Sequence, residues 1–342
     1  MSKQKPFLSV VVPCYNSSKY LPHLIQSVVD CEMEDIELIL VDDCSDDNYD
    51  DIVAQYSDKL DISQYRTDHN CGSPSNSREI GASKATGTYL TFVDHDDYLI
   101  PEGIQELRRV IEEKDNPEYI CCGIRQVDEE GNTQIEKYDI LPFLHGKFFN
   151  MDKFYRKCDL HHKQDIKYQE DNYFTALIAC NLIKYNLAPT FEHFCTYAWF
   201  NNEKSLGQTM KRRKETDAKL NLDMFYTNIS ISEEVMFKFV DEDALPYEVA
   251  CEWLIRELVS MYLDCQIYWK FIDDRKEGLA RLIDGVKARL NLDTKGILDI
   301  AFADDGRLFL SELDSVLQFQ EEPITPQIKF DDFLEKYSGG AI

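Results

Sequence analysis

Apolar and polar positions fall into two regimes along this chain. Through roughly the first 130 residues, short unbroken apolar runs alternate with stretches whose apolar residues recur every three or four positions. Phe7 to Val12 is a continuous β-branched run ending at Pro13, the pattern of a strand buried on both faces. Ser17 and Ser18 are candidate caps for a following helix, with Pro22 in its first turn and Leu21, Leu24, Ile25 and Val28 on one face. Ile36–Val41, Ile62–Thr67, Thr88–Val93 and Tyr119–Val127 read as further strands, and Asp46–Tyr56, Ser75–Ala85 and Glu102–Glu113 as helices. This alternation predicts an α/β fold, a parallel sheet with helices on both faces. From about Lys211 the pattern changes. Glu248–Tyr262 and Arg275–Leu290 have helical spacing, and Glu321–Pro326 reads as a loop before a last short helix. Tyr247, Trp253, Tyr262, Tyr268 and Trp269 read as core aromatics of this helical region.

Three of the predicted strands end in polar clusters: Pro13-Cys14-Tyr15-Asn16, Asp42-Asp43-Cys44-Ser45-Asp46 and Asp94-His95-Asp96-Asp97. In open α/β sheets ligands bind beyond the carboxyl ends of the strands, so these clusters are expected to line one crevice. Composition narrows the ligand class. With 44% hydrophobic and 29% charged residues, the 342-residue chain is globular and longer than an average domain. Its formal net charge of -26 repels phosphate backbones, which disfavours general nucleic-acid and anionic-membrane binding. No run approaches the ~18 apolar residues of a membrane span, and the amino-terminal apolar run is too short for a secretion signal. Eleven cysteines without a CxxC pair read as reduced thiols of a cytoplasmic protein.

The sharpest chemical signal is Asp94-His95-Asp96-Asp97. Three carboxylates within four residues repel one another unless a cation or hydrogen-bond donors compensate them. A divalent ion bridging protein and a diphosphate is one solution; a solvated acidic turn is the other. Asp42-Asp43 has a ligand-binding reading and a plainer one, an Asx-turn. Gly72 permits close backbone approach or simply makes a turn. Arg78 is suited to a base or diphosphate.

Five segments in order, Ser9–Asn16, Leu40–Asp46, Asn70-x-Gly72 with Ser77-Arg78 and Gly81, Ala85-x-Gly87, and Phe92–Asp97, resemble the GT-A domain of family 2 glycosyltransferases. His145-Gly146-Lys147-Phe148 is similar to that family's glycine/lysine segment, Tyr168–Phe174 to its Glu-Asp motif, and Tyr197–Ser205 to its closing tyrosine/serine segment. The resemblance covers residues 1 to about 207, and the rest has no recognised relative. It implies a GT-A domain over residues 1–207, with a nucleotide-sugar half (1–127) and an acceptor half (128–207), followed by a helical region (208–342). It implies nucleotide-sugar contacts at Pro13, Tyr15, Asn16, Asp42, Asp43, Gly72, Arg78, Asp94, His95 and Lys147. Asp96, with Asp94, is the implied ligand of Mn²⁺ or Mg²⁺, and Asp171 the general base. The implied reaction is inverting transfer of a sugar from a nucleoside-diphosphate-sugar, by family precedent a UDP-sugar, to a saccharide or other hydroxyl acceptor.

Departures from the family pattern sharpen these expectations. Arg78-Glu79 replaces the usual Arg-Asn pair and sets another acid near the expected nucleotide. His95 stands where a small residue is commoner, and contact with the ribose is favoured over metal ligation. His161, His162 and His193 are candidates for acceptor or metal contact, with a satisfied structural histidine the simpler reading. Lys211–Lys214 is a basic cluster, read as a diphosphate clamp, a contact for a polyanionic acceptor, or a solvated helix start. Alternatives to the enzyme are a catalytically silent nucleotide-sugar-binding module and sugar transfer onto a modified nucleic-acid base. A nucleotidyltransferase is disfavoured because Pro13–Ser18 lacks that class's glycines. The helical region is a candidate subunit interface.

Overall fold

The structure, a computed structural model, describes residues 5–128, 131–138, 144–164, 166, 169–200, 218–317, 324 and 326–338. Tyr168, residues 201–205 and the Lys211–Lys214 cluster lie outside the described residues. Two compact units are present, Met1–Ser205 and Leu206–Ile342.

In the first unit the described elements are β1 (Leu8–Cys14), α1 (Leu21–Val29), β2 (Ile36–Asp42), α2 (Asp50–Ala54), β3 (Asp61–Arg66), α3 (Ser75–Lys84), β4 (Tyr89–Phe92), β5 (Tyr98–Leu99), α4 (Pro101–Glu113), β6 (Tyr119–Val127), β7 (Thr133–Lys137), β8 (Lys147–Asn150), a π-helical turn (Met151–Tyr155), α5 (Glu170–Lys184) and β9 (Thr190–Phe200). The sheet runs β3-β2-β1-β4-β8-β6-β9-β5, with β7 paired to β6. Its first half is parallel, β1 lying between β2 and β4. The second half is mixed: β8 is antiparallel to β4 and β6, while β9 is parallel to β6. The parallel expectation therefore holds for the half built of strand–helix crossovers. Beyond β6 the chain returns through a β6–β7 hairpin, which requires antiparallel pairing.

Burial explains the first half. Every residue of β1 is buried, as a strand covered on both faces must be. Leu21, Leu24, Ile25 and Val28 of α1 all face the core. The expected caps differ: Tyr20 is the N-cap and makes no side-chain cap bond, while the Ser17 carbonyl accepts from Tyr20 N at 2.9 Å. The acidic stretch after Asp46 is mostly loop, leaving α2 only five residues. Gly81 on α3 has no room for a side chain, since a Cβ there would collide with Val11 of β1. That close approach presses the buried face of α3, including Arg78, against the carboxyl ends of the strands.

The second unit is helical: α6 (Ala218–Asp241), α7 (Tyr247–Ile267), α8 (Ile272–Leu290), α9 (Thr294–Ala301), α10 (Ala303–Leu317) and α11 (Phe330–Lys336). Leu254, Leu258, Val259 and Met261 of α7 are fully buried. Tyr262 packs on Phe330 and Phe333, whereas Tyr247 is exposed rather than core. Among the described residues no helix is long and apolar enough to cross a membrane.

Candidate active site

Two groups of side chains form beyond the carboxyl ends of β1, β2 and β4. The first is built on β2. Asp42 and Asp43 are both buried. Asp42 accepts from Ser45 N at 3.1 Å, three residues on rather than the two of an Asx-turn, and pairs with Arg66. Asp43 accepts from Thr67 Oγ1 at 3.0 Å and from Cys71 N at 3.0 Å, tying the loop after β3 to the end of β2. Gly72 follows with φ +68° and donates to Asn70 Oδ1 at 2.7 Å. Asn16 (φ 50°) donates its N–H to Ser45 Oγ at 2.9 Å and accepts from Asp46 N at 3.0 Å. Pro13 is buried in β1 opposite Val41, and Tyr15 beside it is exposed. These residues form one shelf. A cavity of about 270 Å³ opens beside it at Asp42, Tyr49 and Arg66.

The second group is centred on Arg78, which is 2% exposed. Its Nη2 donates to Asp94 Oδ1 at 2.8 Å and its Nη1 to Asp171 Oδ1 at 2.8 Å, with Glu170 Oε1 3.8 Å from Nη1. The two carboxylates come from the loop after β4 and the first turn of α5. Expected at a base or diphosphate, Arg78 has both terminal nitrogens on carboxylates of the protein, because the close seat of α3 carries the side chain inward. His145 Nε2 lies 3.3 Å from Asp94 Oδ2, and its ring packs 4.7 Å from Tyr197. Gly146 makes this possible. It sits at φ +66°, and a Cβ there would stand 2.8 Å from Cys122 O. Tyr197 OH accepts from Asp94 N at 3.2 Å and donates to Asp97, whose other oxygen accepts from Phe200 N at 2.8 Å.

The electrostatics follow from these partners. Burial disfavours the Asp94 carboxylate, but Arg78 and His145 outweigh it and hold Asp94 well below the usual range. Burial, and then Asp96 and Asp94, push Asp97 well above it, against the opposing pull of His145. Burial and the Asp171 charge raise Glu170 to about 7. Burial opposes protonation of His145, yet the Asp94 hydrogen bond and the surrounding carboxylates raise its pKa. The crowded acids are therefore compensated by donors of the protein itself, Arg78, His145, Tyr197 and the Phe200 amide.

Asp94, Asp97 and His145 offer ligand atoms within 4.8 Å of one another. Asp96, half-buried beside them, is not in that group. His95 lies against Tyr20, with ring centroids 5.9 Å apart. Lys147 is fully buried within β8 opposite Cys121, its carbonyl accepting from Thr91 Oγ1 at 2.8 Å. Glu79 turns away from the shelf and accepts from His162 N at 2.9 Å. His162 is structural: it stacks on Phe174, and among the described residues neither ring nitrogen has a hydrogen-bond partner. His161 bonds Tyr173 OH at 2.9 Å, and His193 packs near Tyr138.

Sequence reasoning brought Arg78, Asp94 and Asp171 forward but gave no role to His145, Asp97, Tyr197 or Glu170. All four stand inside segments already singled out. Their spacing in the chain carries no sign that β8, β9 and α5 bring them together.

A sheet of this order, with acidic loops gathered beyond β2 and β4 and a helical unit following, defines a GT-A-type glycosyltransferase fold. Residues 9–169, just under half of the chain, match the family described as Glycosyl transferase family 2. Over 180 residues the chain is 29% identical to poly(ribitol-phosphate) beta-N-acetylglucosaminyltransferase TarS of Staphylococcus aureus, covering 49% of this chain and 31% of the relative. It is 35% identical over 125 residues to glycosyltransferase GlyG of Streptococcus pneumoniae, covering 36% of this chain and 42% of the relative. The chain thus spans less than half the length of these two curated relatives. The crystal structure of S. aureus TarS 1-349 in complex with UDP-GlcNAc superposes with a TM-score of 0.62 at 19% identity, covering 93% of each chain. That coverage extends past Ser205, so the helical unit also has a structural counterpart.

Proposed function

We propose that this protein transfers a sugar, with inversion, from a UDP-sugar to a hydroxyl of a saccharide or polyol acceptor. The observation that carries the reading is the convergence of Asp94 and Asp171, 77 positions apart in sequence (171 - 94), on the single buried guanidinium of Arg78. The solved TarS complex holds UDP-GlcNAc, which makes that donor the first choice here. The shelf of Pro13, Tyr15, Asn16, Asp42, Asp43 and Gly72 takes the nucleotide, and Asp94 and His95 flank its ribose.

Asp171 accepts the acceptor's hydroxyl proton as the oxygen bonds to the anomeric carbon. The bond from that carbon to the diphosphate breaks on the opposite face, and its electron pair leaves with the diphosphate. Asp94, Asp97 and the His145 imidazole, with ligand atoms within 4.8 Å of one another and Asp96 beside them, are a donor set that would hold Mn²⁺ or Mg²⁺. When bound, such an ion neutralises charge on the departing diphosphate. The test is UDP release from UDP-GlcNAc with Mn²⁺, with the sugar's anomeric configuration followed by NMR. The α-linked donor should give β product first, and chelation should stop release. An α product, or full release under chelation, rejects the mechanism.

A further inference from the structure

Arg78 is committed to two acids from distant parts of the chain. Its α3 backbone is fixed by the Gly81–Val11 approach one turn away. Its guanidinium places separate nitrogens on Asp94 and Asp171, each at 2.8 Å. Arg78 side-chain exposure is 3%, against 32% for Asp94 and 25% for Asp171. The cation is inside, and the two carboxylates reach outward from it. A planar fork can hold two carboxylates at once in fixed directions, which a lysine ammonium cannot reproduce. Asp171 also stands in the first turn of α5, where the helix dipole favours a carboxylate.

We propose that Arg78 is a positioning residue for sugar transfer, a rigid strut that sets the distance and direction between the donor-side Asp94 and the base Asp171. This inference rests on the reading of Asp171 as the base. Its consequence is that the base is aimed from beneath by a residue that need not touch the acceptor. Misplacing a reacting group by about 1 Å costs on the order of 100-fold in rate, and loss of the strut releases both acids together.

The experiment compares Arg78→Lys, Arg78→Met and Asp171→Asn by UDP release from UDP-GlcNAc with Mn²⁺, and by calorimetric titration with UDP-GlcNAc. Arg78→Lys keeps a buried cation and so guards against loss of folding, which thermal melting checks. The expected result is a kcat lower by about 100-fold in Arg78→Lys, with a much smaller weakening of donor binding through the released Asp94, and partial recovery of Arg78→Met by millimolar guanidinium. A wild-type kcat in Arg78→Lys, or a loss carried wholly by donor Kd, overturns the proposal. Wild-type turnover in Asp171→Asn instead rejects the base reading. An inactive Asp171→Asn beside a normal Arg78→Lys leaves the base standing and removes the strut.

Discussion

Replacing His162 by phenylalanine should stabilise the protein, and more so in mild acid. The ring is buried, stacked on Phe174 at 4.3 Å and edge-on to Phe92 at 4.8 Å. Both ring nitrogens lack partners among the described residues. Its backbone N–H to Glu79 is independent of the side chain. Phenylalanine keeps the aromatic contacts and removes a polar group whose unsatisfied burial costs about 1–3 kcal/mol. Burial, then the Arg78 charge and His161, hold the His162 pKa well below its ordinary value. The sign follows. The folded imidazole stays neutral while the unfolded one gains a proton near pH 6.5, so stability falls as pH drops below that value. Between pH 7.5 and 5.5 one such group removes about 1.4 kcal/mol. Urea unfolding of both proteins at the two pH values measures this directly. His162→Phe should be the more stable at pH 7.5 and should widen its lead by about 1.4 kcal/mol at pH 5.5. A less stable variant, or a difference unchanged by pH, refutes the reasoning.

Other substitutions probe the remaining framework. Gly81→Ala forces a methyl into Val11 and should cost about 1–3 kcal/mol in urea unfolding, with turnover falling as α3 and Arg78 shift. Tyr197→Phe removes the hydroxyl shared by Asp94 N and Asp97, and should lower stability by about 1–3 kcal/mol in the same assay. Asp43→Asn changes the acceptor that orders the Cys71 amide and Thr67, and should weaken UDP-GlcNAc binding in calorimetric titration. Glu170, raised to about 7 by burial and Asp171, opposes folding once it must ionise. Glu170→Gln should therefore gain stability over the natural protein as pH rises from 4.5 through 7, read by thermal melting across that range.

The sequence alone was enough for the strands and the crevice they make. Leu8–Cys14 and Ile36–Asp42 are legible because strands buried on both faces must be apolar throughout, and ordered motifs between them named the domain. The family resemblance singled out Asp94 and Asp171, which the structure brings to one guanidinium. Only the tertiary structure decided what faces them. The carboxylate partners of Arg78 were not legible, because the depth to which α3 sinks depends on Gly81 meeting Val11 across the sheet. His145 and Tyr197 joined the site through the Gly146 turn and the β6–β9 pairing, contacts between segments more than 50 residues apart in sequence (197 - 145 = 52). Periodicity reports which face of an element is buried. Side-chain charge partners depend on distances between elements, and those are set by packing.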